Sequence, residues 1–520
     1  MLLPVLTLLG LYLVPLHGLC GQIPVVRGIL GGVPQASQVK ISQAPPLRLA
    51  APNITAGKLR FVENSGICET TPNVYQASGY GDLTATDSIW FWFFEARHNP
   101  DTAPLTLWFN GGPGSSSMIG LFQEHGPCRI TNDSTSVVLN PYSWNNESNI
   151  MYIDQPIGTG FSHGSLARVG TSQQAAADIW DFMQIFLSDP KFSKYQSRDL
   201  AIWAESYGGH YGPTFAAHFL AQNAAISNGT ISGLPLNLKT LAIGNGLTDP
   251  LSQYPGYAAY AANNPYHPLV TPSVIAAANE SLTKAGGCED MIKGCYANGN
   301  DTLCSNAQFQ CNEQVLNALI GGVDVYFVLS PSDDPYPPPF DTYLSSVASS
   351  IGADNITGGF VETNNDVYGA FATTGDWMRN SRPDLESVID AGVRTLIYNG
   401  DADYIVNYMG VEAMIANLNT KFSSEYNNQK FQDYKVAGEV AGQFKQAGNF
   451  TYIRVFGAGH EVPAYKFGNL DYGQAASQMF KDFTIVPPSS STTHSNARSI
   501  TSNRLLLFSL IPVTLIAAWL

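Results

Sequence analysis

The sequence predicts an α/β protein whose central sheet is mostly parallel and carries helices on both faces. Apolar segments of strand length recur along the chain, at residues 88–94, 105–109, 149–154, 199–204, 238–244, 393–398 and 451–456. A helical pattern covers 171–188, with Thr171 or Ser172 as its N-cap and the Asp189-Pro190 pair as its stop. Polar, glycine-rich turns directly follow several of the strands, and these turns hold the candidate functional residues.

The turn at residues 204–209, with the sequence AESYGG, is the first candidate site. It follows the apolar segment 199–203 and precedes a helical pattern that begins at His210. A serine at the apex of a tight turn between a strand and a helix has its hydroxyl lifted out of the backbone. The usual turn reads G-x-S-x-G, and here Ala204 replaces the first glycine. Ser206 is therefore the candidate nucleophile, with an ordinary turn as the alternative.

A carboxylate and a histidine follow two later strands, in the order that a Ser-Asp-His hydrolase requires. Past Asp403 the only histidines are His460 and His494, and His494 lies in a Ser/Thr-rich tail. His460 is therefore the candidate base, and a loop histidine at a strand end is the alternative. Asp403 stands three residues after the glycine of its loop, the usual place of the orienting carboxylate. Asp401 is expected to be a turn residue that binds nearby backbone.

A glycine-rich loop, NGGPGSSS at residues 110–117, follows the strand 105–109. Such backbone lets amide N–H groups approach a developing oxyanion, and each donor contributes about 3 kcal/mol to the transition state. The candidate donors are the N–H groups of Gly112 and of Tyr207, the residue after the candidate nucleophile. A phosphate-binding loop is the alternative, but no lysine follows the glycines, which disfavours a nucleotide P-loop.

Together these motifs resemble the serine carboxypeptidases of the α/β-hydrolase fold, and most closely the fungal carboxypeptidase S1 branch. The motifs that carry the resemblance lie at residues 108–114, 154–156, 160–162, 205–207, 400–403, 459–460 and 462–463. The resemblance implies a peptidase that removes residues from peptide and protein C-termini at acidic pH through an acyl-enzyme. It implies no cofactor and no metal, and it places an inserted cap region over the active site.

The resemblance also implies how a free C-terminus is bound. In the family, the corresponding residues to Asn110, Gly111, Glu124 and Glu205 bind the terminal carboxylate, and Trp108 is expected to line the same end of the cleft. Two close carboxyl groups cannot both ionise cheaply, so they keep a proton into mildly acidic pH and can donate it to the carboxylate. Without the resemblance, Glu124 would be interpreted as a solvated helix residue and Asn110 as a turn residue.

Glu461 directly follows the candidate base, where many members of the family have an apolar residue, often Met, beside the scissile bond. A carboxylate in a partly desolvated cleft would be paired by a substrate Lys or Arg, so we expect basic residues to be accepted there. The alternative is that Glu461 points to solvent or pairs with Lys466.

Two other functions remain open from the sequence. The same residues could support an acyltransferase or esterase, because a fold does not determine its substrate. A non-catalytic cell-surface protein is the second alternative, although the intact candidate residues argue against it.

The chain has 520 residues, a formal net charge of −15 at pH 7 and 13% charged residues. The length fits one large domain with an insertion, and the negative charge argues against nucleic-acid binding. The predicted segments are a signal peptide 1–20, a pro-segment or irregular arm 21–60, the first core part 61–249, an inserted cap 250–385, the second core part 386–485, a Ser/Thr-rich linker 486–504 with the anchor site, and a hydrophobic tail 505–520.

Both ends of the chain resemble processing signals. Residues 1–20 are apolar and resemble a secretory signal, although the positive n-region is missing. The apolar run 505–520 is short for a membrane span, and with the small residues near 495–497 and a polar spacer it matches a GPI-attachment signal. A short tail anchor is the alternative. We therefore expect a cell-surface protein that is attached to the membrane through a lipid anchor.

Seven cysteines are present, and Cys20 lies in the predicted signal, which leaves an even number for an oxidising compartment. A zinc site is disfavoured because CxxC pairs are missing. The resemblance implies the disulfides Cys288–Cys311 and Cys295–Cys304, with Cys68 and Cys128 left to each other. Ser115 and Val406 stand where relatives carry further cysteines. Eight N-x-S/T sequons are candidate glycosylation sites, at Asn53, Asn132, Asn146, Asn228, Asn279, Asn300, Asn355 and Asn449.

Overall fold

The computed structural model describes residues 21–35, 54–332, 334, 336–354 and 360–484. The predicted signal peptide, the linker 486–504, the tail 505–520 and the sequons at Asn53 and Asn355 lie outside these residues. Within the described residues, no helix has the length and apolar character needed to cross a membrane.

The described strands are β1 (Val25–Val26), β2 (Ile29–Leu30), β3 (Lys58–Glu63), β4 (Gln76–Asp82), β5 (Ser88–Phe94), β6 (Leu105–Phe109), β7 (Cys128–Ile130), β8 (Val137–Leu139), β9 (Asn149–Ile153), β10 (Leu200–Glu205), β11 (Leu238–Gly244), β12 (Arg394–Gly400), β13 (Gln432–Val436), β14 (Glu439–Ala447) and β15 (Phe450–Val455). The described α-helices are α1 (Ser172–Ser188), α2 (Gly208–Ser227), α3 (Pro250–Gln253), α4 (Pro255–Ala262), α5 (Pro272–Thr283), α6 (Cys288–Asn298), α7 (Asp301–Cys311), α8 (Asp341–Val347), α9 (Asn365–Thr374), α10 (Arg382–Asp390), α11 (Tyr408–Ala416), α12 (Ser423–Asn428) and α13 (Gln474–Thr484).

One large sheet organises the molecule, with the strand order β13-β14-β15-β12-β11-β10-β6-β9-β5-β4-β3. The central strands from β15 to β9 pair in parallel. Antiparallel strands extend both edges, β5, β4 and β3 on one side and β14 and β13 on the other. The predicted mostly parallel sheet is confirmed, and the carboxyl ends of its parallel strands share one edge.

The central strands are buried on both faces, which is why they read as continuous apolar runs in the sequence. Successive side chains on β10 point to opposite faces, so that Ile202 belongs to one hydrophobic core and Trp203 to the other. Helices α1 and α2 contribute Phe182 and Phe215 to the first core, and α13 contributes Phe480 to the second. The sheet therefore carries helices on both faces, as predicted.

Helix α1 begins and ends where the sequence predicts. The side chain of Thr171 is the N-cap and accepts a hydrogen bond from the backbone N–H of Gln174, and the helix ends at Ser188, before Asp189 and Pro190. The strand β3 was not predicted. It begins at Lys58, before the expected start of the core at residue 61, because it pairs along its whole length with β4.

Between β11 and β12 the described chain forms the helices α3 to α10. Two disulfides cross-link this part of the chain, Cys288–Cys311 and Cys295–Cys304, and a third joins Cys68 to Cys128. All three predicted pairs are therefore present. Residues 21–35 pack against this helical part through the β1–β2 hairpin, with Ile23, Ile29 and Leu30 buried.

Candidate active site

Ser206 lies at the carboxyl end of β10, in a sharp turn into α2. Its backbone has a φ of 64°, in the left-handed region that a residue other than glycine seldom adopts. The turn is held in place because the Ser206 N–H donates to the carbonyl of Gly244 at 3.0 Å, while its carbonyl accepts from the N–H of Leu247 at 3.1 Å. The neighbouring strand β11 thus fixes the strained backbone that carries the hydroxyl.

Asp403 and His460 contact each other directly at the same edge of the sheet. Oδ2 of Asp403 lies 2.9 Å from Nδ1 of His460, and both side chains are fully buried. Asp403 also accepts hydrogen bonds from the side chain of Asn245 at 2.7 Å and from the backbone N–H groups of Ile405 and Val406 at 3.0 and 3.2 Å. These donors fix the carboxylate, and its contact with Nδ1 favours the histidine tautomer that leaves Nε2 unprotonated.

The second ring nitrogen of His460, Nε2, is not used by Asp403. Nε2 is buried and has no hydrogen-bond partner in the described part of the chain, Ser206 included. Burial lowers the pKa of His460, but the charge and hydrogen bond of Asp403 outweigh that effect and hold the pKa above its ordinary value. The ring is therefore a stronger base than an isolated buried histidine.

Asp401 binds neighbouring groups of the loops, in keeping with the expected turn residue. Its Oδ1 accepts hydrogen bonds from the hydroxyl of Tyr266 at 2.5 Å and from the backbone N–H of Gly457 at 2.8 Å. These contacts tie the loop after β12 to the loop after β15. Asp401 does not contact His460, so the structure separates the two aspartates that the sequence analysis weighed against each other.

The glycine-rich loop lies against the turn that carries Ser206. A Cβ atom added to Gly111 would stand only 2.3 Å from the backbone nitrogen of Tyr207, so only glycine permits this approach. The buried carboxyl group of Asp154 holds the loop, accepting from Ser116 Oγ at 2.6 Å and from the Ser117 N–H at 2.9 Å. The structure thereby brings the loop that contains Gly112 next to the amide of Tyr207.

Asn110, Glu124 and Glu205 form a fully buried polar cluster beside this loop. Nδ2 of Asn110 donates to Oε1 of Glu124 and to Oε1 of Glu205, at 3.1 Å in each case. The Oε2 atoms of both glutamates are buried and have no hydrogen-bond partner within the described residues. Burial raises the pKa of Glu124 to about 7, and burial together with the charge of Glu124 raises the pKa of Glu205 well above its usual range.

Trp108 lies beside this cluster and is as completely buried as its members. Its indole Nε1 donates to Oδ1 of Asn110 at 2.6 Å. The backbone N–H of Gly120 donates to the same oxygen at 3.0 Å. These two donors determine which way the Asn110 amide points, so that its nitrogen faces the glutamates. Trp108 therefore contacts the cluster through its hydrogen bond to Asn110.

Glu461 is buried, with 6% of its surface exposed, and its carboxyl group points into the same region. Its Oε1 accepts a hydrogen bond from Nε2 of Gln22 at 2.9 Å, and the same nitrogen donates to Oε1 of Glu205 at 3.0 Å. The predicted alternative, a pair with Lys466, is not formed: the ammonium group of Lys466 lies over the ring of Tyr472, 5.0 Å from its centroid.

Three residues of the site were missed by the sequence analysis: Gln22, Asn245 and Tyr326. Asn245 could have been found, since it is a polar residue between two glycines at the carboxyl end of β11. Tyr326 contributes its backbone carbonyl, which accepts from the N–H of His460 at 2.8 Å, and this contact leaves no sequence pattern.

The chain matches the protein-family model described as serine carboxypeptidase over residues 66–485. This match includes every site residue named above except Gln22. The protein therefore belongs to the serine carboxypeptidase family, and it is a serine-type carboxypeptidase with the α/β-hydrolase fold.

Named relatives agree with this family assignment. Carboxypeptidase S1 of Penicillium janthinellum is 42% identical over 439 residues, which cover 83% of this chain and 100% of the relative. Carboxypeptidase Y of Komagataella phaffii is 37% identical over 404 residues, with 75% and 73% covered. Among solved structures, Kex1(delta)p, a prohormone-processing carboxypeptidase from Saccharomyces cerevisiae, aligns with a TM-score of 0.64 at 24% identity, covering 81% of this chain and 92% of that chain. The solved structure shares the fold.

Proposed function

We propose that Ser206 is the nucleophile, His460 the general base and Asp403 the carboxylate that orients it. The observation that carries this proposal is the buried contact of 2.9 Å between Asp403 and Nδ1 of His460, at the sheet edge where the strained turn presents Ser206. The contact directs the unprotonated Nε2 to the substrate side, where it can accept the serine proton.

The reaction then proceeds in two stages, acylation and deacylation of Ser206. Oγ of Ser206 attacks the carbonyl carbon of the scissile peptide bond while Nε2 of His460 takes the hydroxyl proton. The C–N bond breaks as His460 gives that proton to the leaving amino group, which releases the C-terminal residue and leaves a serine ester. Water attacks the ester with His460 again as the base, and Ser206 recovers its proton. The N–H groups of Gly112 and Tyr207 stabilise the oxyanion in both halves.

The buried glutamate cluster supplies the preference for a free C-terminus. With its pKa raised, at least one carboxyl group of Glu124 and Glu205 stays protonated at mildly acidic pH and can donate to the terminal carboxylate. Asn110 and the backbone of Gly111 complete this carboxylate subsite. Peptide binding that is tightest at mildly acidic pH follows, because deprotonation would place negative charges opposite the substrate's own carboxylate. The raised pKa of His460 sets the acid limit of turnover, because the protonated ring cannot act as the base.

Glu461 gives the site a preference for Lys or Arg beside the scissile bond. Its carboxyl group borders the carboxylate subsite, since it shares the Gln22 amide with Glu205. Asp324 and Glu362 lie nearby, and burial together with surrounding carboxylates raises their pKa values to about 7 and about 8. None of these three acids forms an ion pair within the described residues. A basic substrate side chain would lower the pKa of an adjacent acid, so that the acid ionises and pairs with it.

The protein is secreted and held at the cell surface by a GPI anchor in this proposal. The support is the pair of terminal segments in the sequence, 1–20 and 505–520, together with the three disulfides. The sequons Asn132, Asn228, Asn279 and Asn300 are exposed and suit glycan attachment. Asn449 suits it less, because its amide nitrogen donates to the carbonyls of Ile389 and Val393 at 3.0 and 2.5 Å.

The proposal is tested by activity and labelling of Ser206. Blocked dipeptides and longer peptides are incubated with the protein at pH 4–7, and mass spectrometry follows the loss of single C-terminal residues. Ser206→Ala should lose at least about a thousandfold in turnover while its melting temperature stays close to that of the wild type. A fluorophosphonate probe should label Ser206 in the wild type only. Retention of more than about a tenth of the turnover by Ser206→Ala would exclude the proposed nucleophile.

An ester substrate with an added alcohol acceptor separates hydrolysis from acyl transfer. A peptidase releases the free acid and cleaves blocked dipeptides, whereas an acyltransferase forms the new ester and leaves the dipeptides intact. The presence of the glutamate cluster, which the proposal assigns to a peptide carboxylate, favours the peptidase.

A further inference from the structure

Residues 21–35 lie outside the part of the chain that matches the family, yet they reach the candidate active site. The side chain of Gln22 is 2% exposed and sits among the acidic residues of the site. Both hydrogens of its amide nitrogen are used, one toward Oε1 of Glu205 at 3.0 Å and one toward Oε1 of Glu461 at 2.9 Å. The amide thus donates to the same oxygen of Glu205 to which Asn110 also donates.

The backbone of this segment is bonded to the walls of the cleft. The carbonyl of Gln22 accepts from Oγ of Ser115 at 2.7 Å, and the N–H of Ile23 donates to the hydroxyl of Tyr326 at 2.9 Å. Ser115 belongs to the glycine-rich loop, and the carbonyl of Tyr326 holds the N–H of His460 at 2.8 Å. The segment therefore passes between the loop of the proposed oxyanion donors and the residue that positions the proposed base.

A second set of contacts anchors the segment away from the catalytic groups. The carbonyl of Gly31 accepts from Nδ2 of Asn312 at 2.7 Å and from Nε2 of Gln308 at 3.1 Å. The buried Ile29 and Leu30 of the hairpin pack in the same core. Docking is therefore supported by a specific interface rather than by the Gln22 contact alone.

We propose that residues 21–35 are an intramolecular inhibitor, in which the carboxamide of Gln22 donates to Glu205 and thereby blocks the subsite that receives a substrate's terminal carboxylate. The inference rests on the function proposed above for Glu205 and its neighbours. A peptide C-terminus and the Gln22 amide cannot occupy one buried subsite together, so the segment has to leave before a substrate binds. The full chain is then a latent form of the enzyme, and release of the segment activates it.

The first test compares two glutamines of the same segment in the full chain. Gln22→Ala removes both hydrogen bonds to carboxylates, and Gln35→Ala makes the same chemical change at an exposed residue. Because each buried hydrogen bond contributes about 1 kcal/mol and two are lost, Gln22→Ala should lower KM for a blocked dipeptide about tenfold or more. Gln35→Ala should leave KM unchanged.

The second test weakens docking without altering Gln22. Gly31 and Gly28 both have a positive φ, 66° and 78°. A Cβ atom at Gly31 would lie 2.6 Å from Nδ2 of Asn312, whereas one at Gly28 would have nothing within 4 Å. Both alanine substitutions strain the backbone, but only Gly31→Ala disturbs the interface. Gly31→Ala should therefore lower KM like Gln22→Ala, and Gly28→Ala should not.

The third test adds a synthetic peptide of residues 21–35 as an inhibitor. Its C-terminus is amidated, because a free carboxylate would make the peptide a substrate. It should inhibit Gly31→Ala competitively, and the same peptide with Ala in place of Gln22 should inhibit at least about tenfold more weakly. Equal KM values for all variants, with no inhibition by the peptide, would overturn the inference and leave the segment a structural element.

Direct binding separates this inference from the function on which it rests. A fluorescent version of the amidated peptide is titrated against Gly31→Ala and followed by anisotropy. Binding that depends on Gln22, in a protein that neither hydrolyses peptides nor reacts with the fluorophosphonate, would support occupation of the subsite and contradict the proposed catalysis. Active enzyme that the peptide does not bind would contradict the inference alone.

Discussion

The carboxyl groups of Glu124 and Glu205 converge on one atom, the amide nitrogen of Asn110, which lies 3.1 Å from an oxygen of each. One amide nitrogen carries two hydrogens, so one oxygen of each glutamate is satisfied. The second oxygen of each remains buried without a partner in the described structure. Two unsatisfied buried carboxyl oxygens are stable only if a proton is shared between the acids or if a ligand supplies the missing contacts.

The first prediction concerns the pH dependence of peptide binding. Because burial raises the pKa of Glu124 to about 7 and that of Glu205 well above its usual range, the pair is protonated at pH 5 and loses that proton as pH rises. KM for a blocked dipeptide should therefore rise between pH 5 and 8, whereas KM for an uncharged ester should change little. Steady-state kinetics on both substrates across this range make the comparison. A flat peptide KM would mean that the pair does not donate to the terminal carboxylate.

The second prediction tests the indirect role of Trp108. Trp108→Phe keeps most of the buried aromatic volume but removes the indole N–H that orients Asn110. Loss of one buried donor costs roughly 1–2 kcal/mol, so KM for peptides should rise about five- to thirtyfold while ester turnover changes little.

Trp203→Phe is the matched control for this substitution. Trp203 lies directly opposite Trp108 in the sheet, is equally buried and has no hydrogen-bond partner for its indole N–H in the described structure. If both variants affect peptides and esters equally, the effect of Trp108 is one of packing and its orienting role is wrong.

The core of the site could be predicted from the sequence because each of its residues stands in a recognisable local pattern. Ser206, Asp403 and His460 each follow a strand of the parallel sheet, β10, β12 and β15, and parallel strands deliver their carboxyl ends to one edge. Strand-like runs followed by polar, glycine-containing turns are visible without knowing the pairing of the strands. The order of strands and turns along the chain was therefore enough to predict that the three residues lie at one edge of the sheet.

What the sequence did not predict depends on contacts between distant segments. Gln22 donates a hydrogen bond to Glu205, which is 183 positions away in the chain, and no local sequence pattern predicts that contact. The hydrogen bond from Trp108 to Asn110 depends on which face of β6 meets which core, and alternation is hidden where both faces are apolar. The edge strand β3 was missed because its side chains are only partly buried, which gives a mixed polar pattern.

The third prediction is that the mature protein has no free thiol. Six cysteines form three disulfides in the structure, and Cys20 lies in the predicted signal. Val406, whose backbone N–H donates to Asp403 at 3.2 Å, brings no thiol to the catalytic loop. Alkylation of the denatured, unreduced protein followed by mass spectrometry should find no modified cysteine, and mercurials should not inhibit. A sample reduced beforehand is the control, and alkylation without reduction would contradict the pairing.

The fourth prediction concerns specificity at Glu461. This carboxyl group is buried, borders the carboxylate subsite and has no cationic partner among the described residues. Burial raises its pKa despite the opposing influence of His460, so leaving it unpaired is costly, and a substrate Lys or Arg would relieve that cost. Glu461→Met should shift the ratio of kcat/KM between basic and apolar substrates toward apolar residues by roughly 1–3 kcal/mol, or about five- to 160-fold.

The test uses the ratio of kcat/KM between basic and apolar substrates rather than either value alone. Glu461 also accepts a hydrogen bond from Gln22, so its substitution changes the docking of residues 21–35 as well. Weaker docking of residues 21–35 would raise kcat/KM for every substrate by one common factor, which cancels in the ratio. Glu461→Gln separates charge from shape, since it keeps the volume of the side chain and removes its ionisation. If the charge attracts basic residues, Glu461→Gln should shift the ratio nearly as far as Glu461→Met. A ratio that stays at the wild-type value in both variants would assign basic specificity to other acids of the cleft, and Asp324 and Glu362, whose pKa values the charge of Glu461 raises, are candidates.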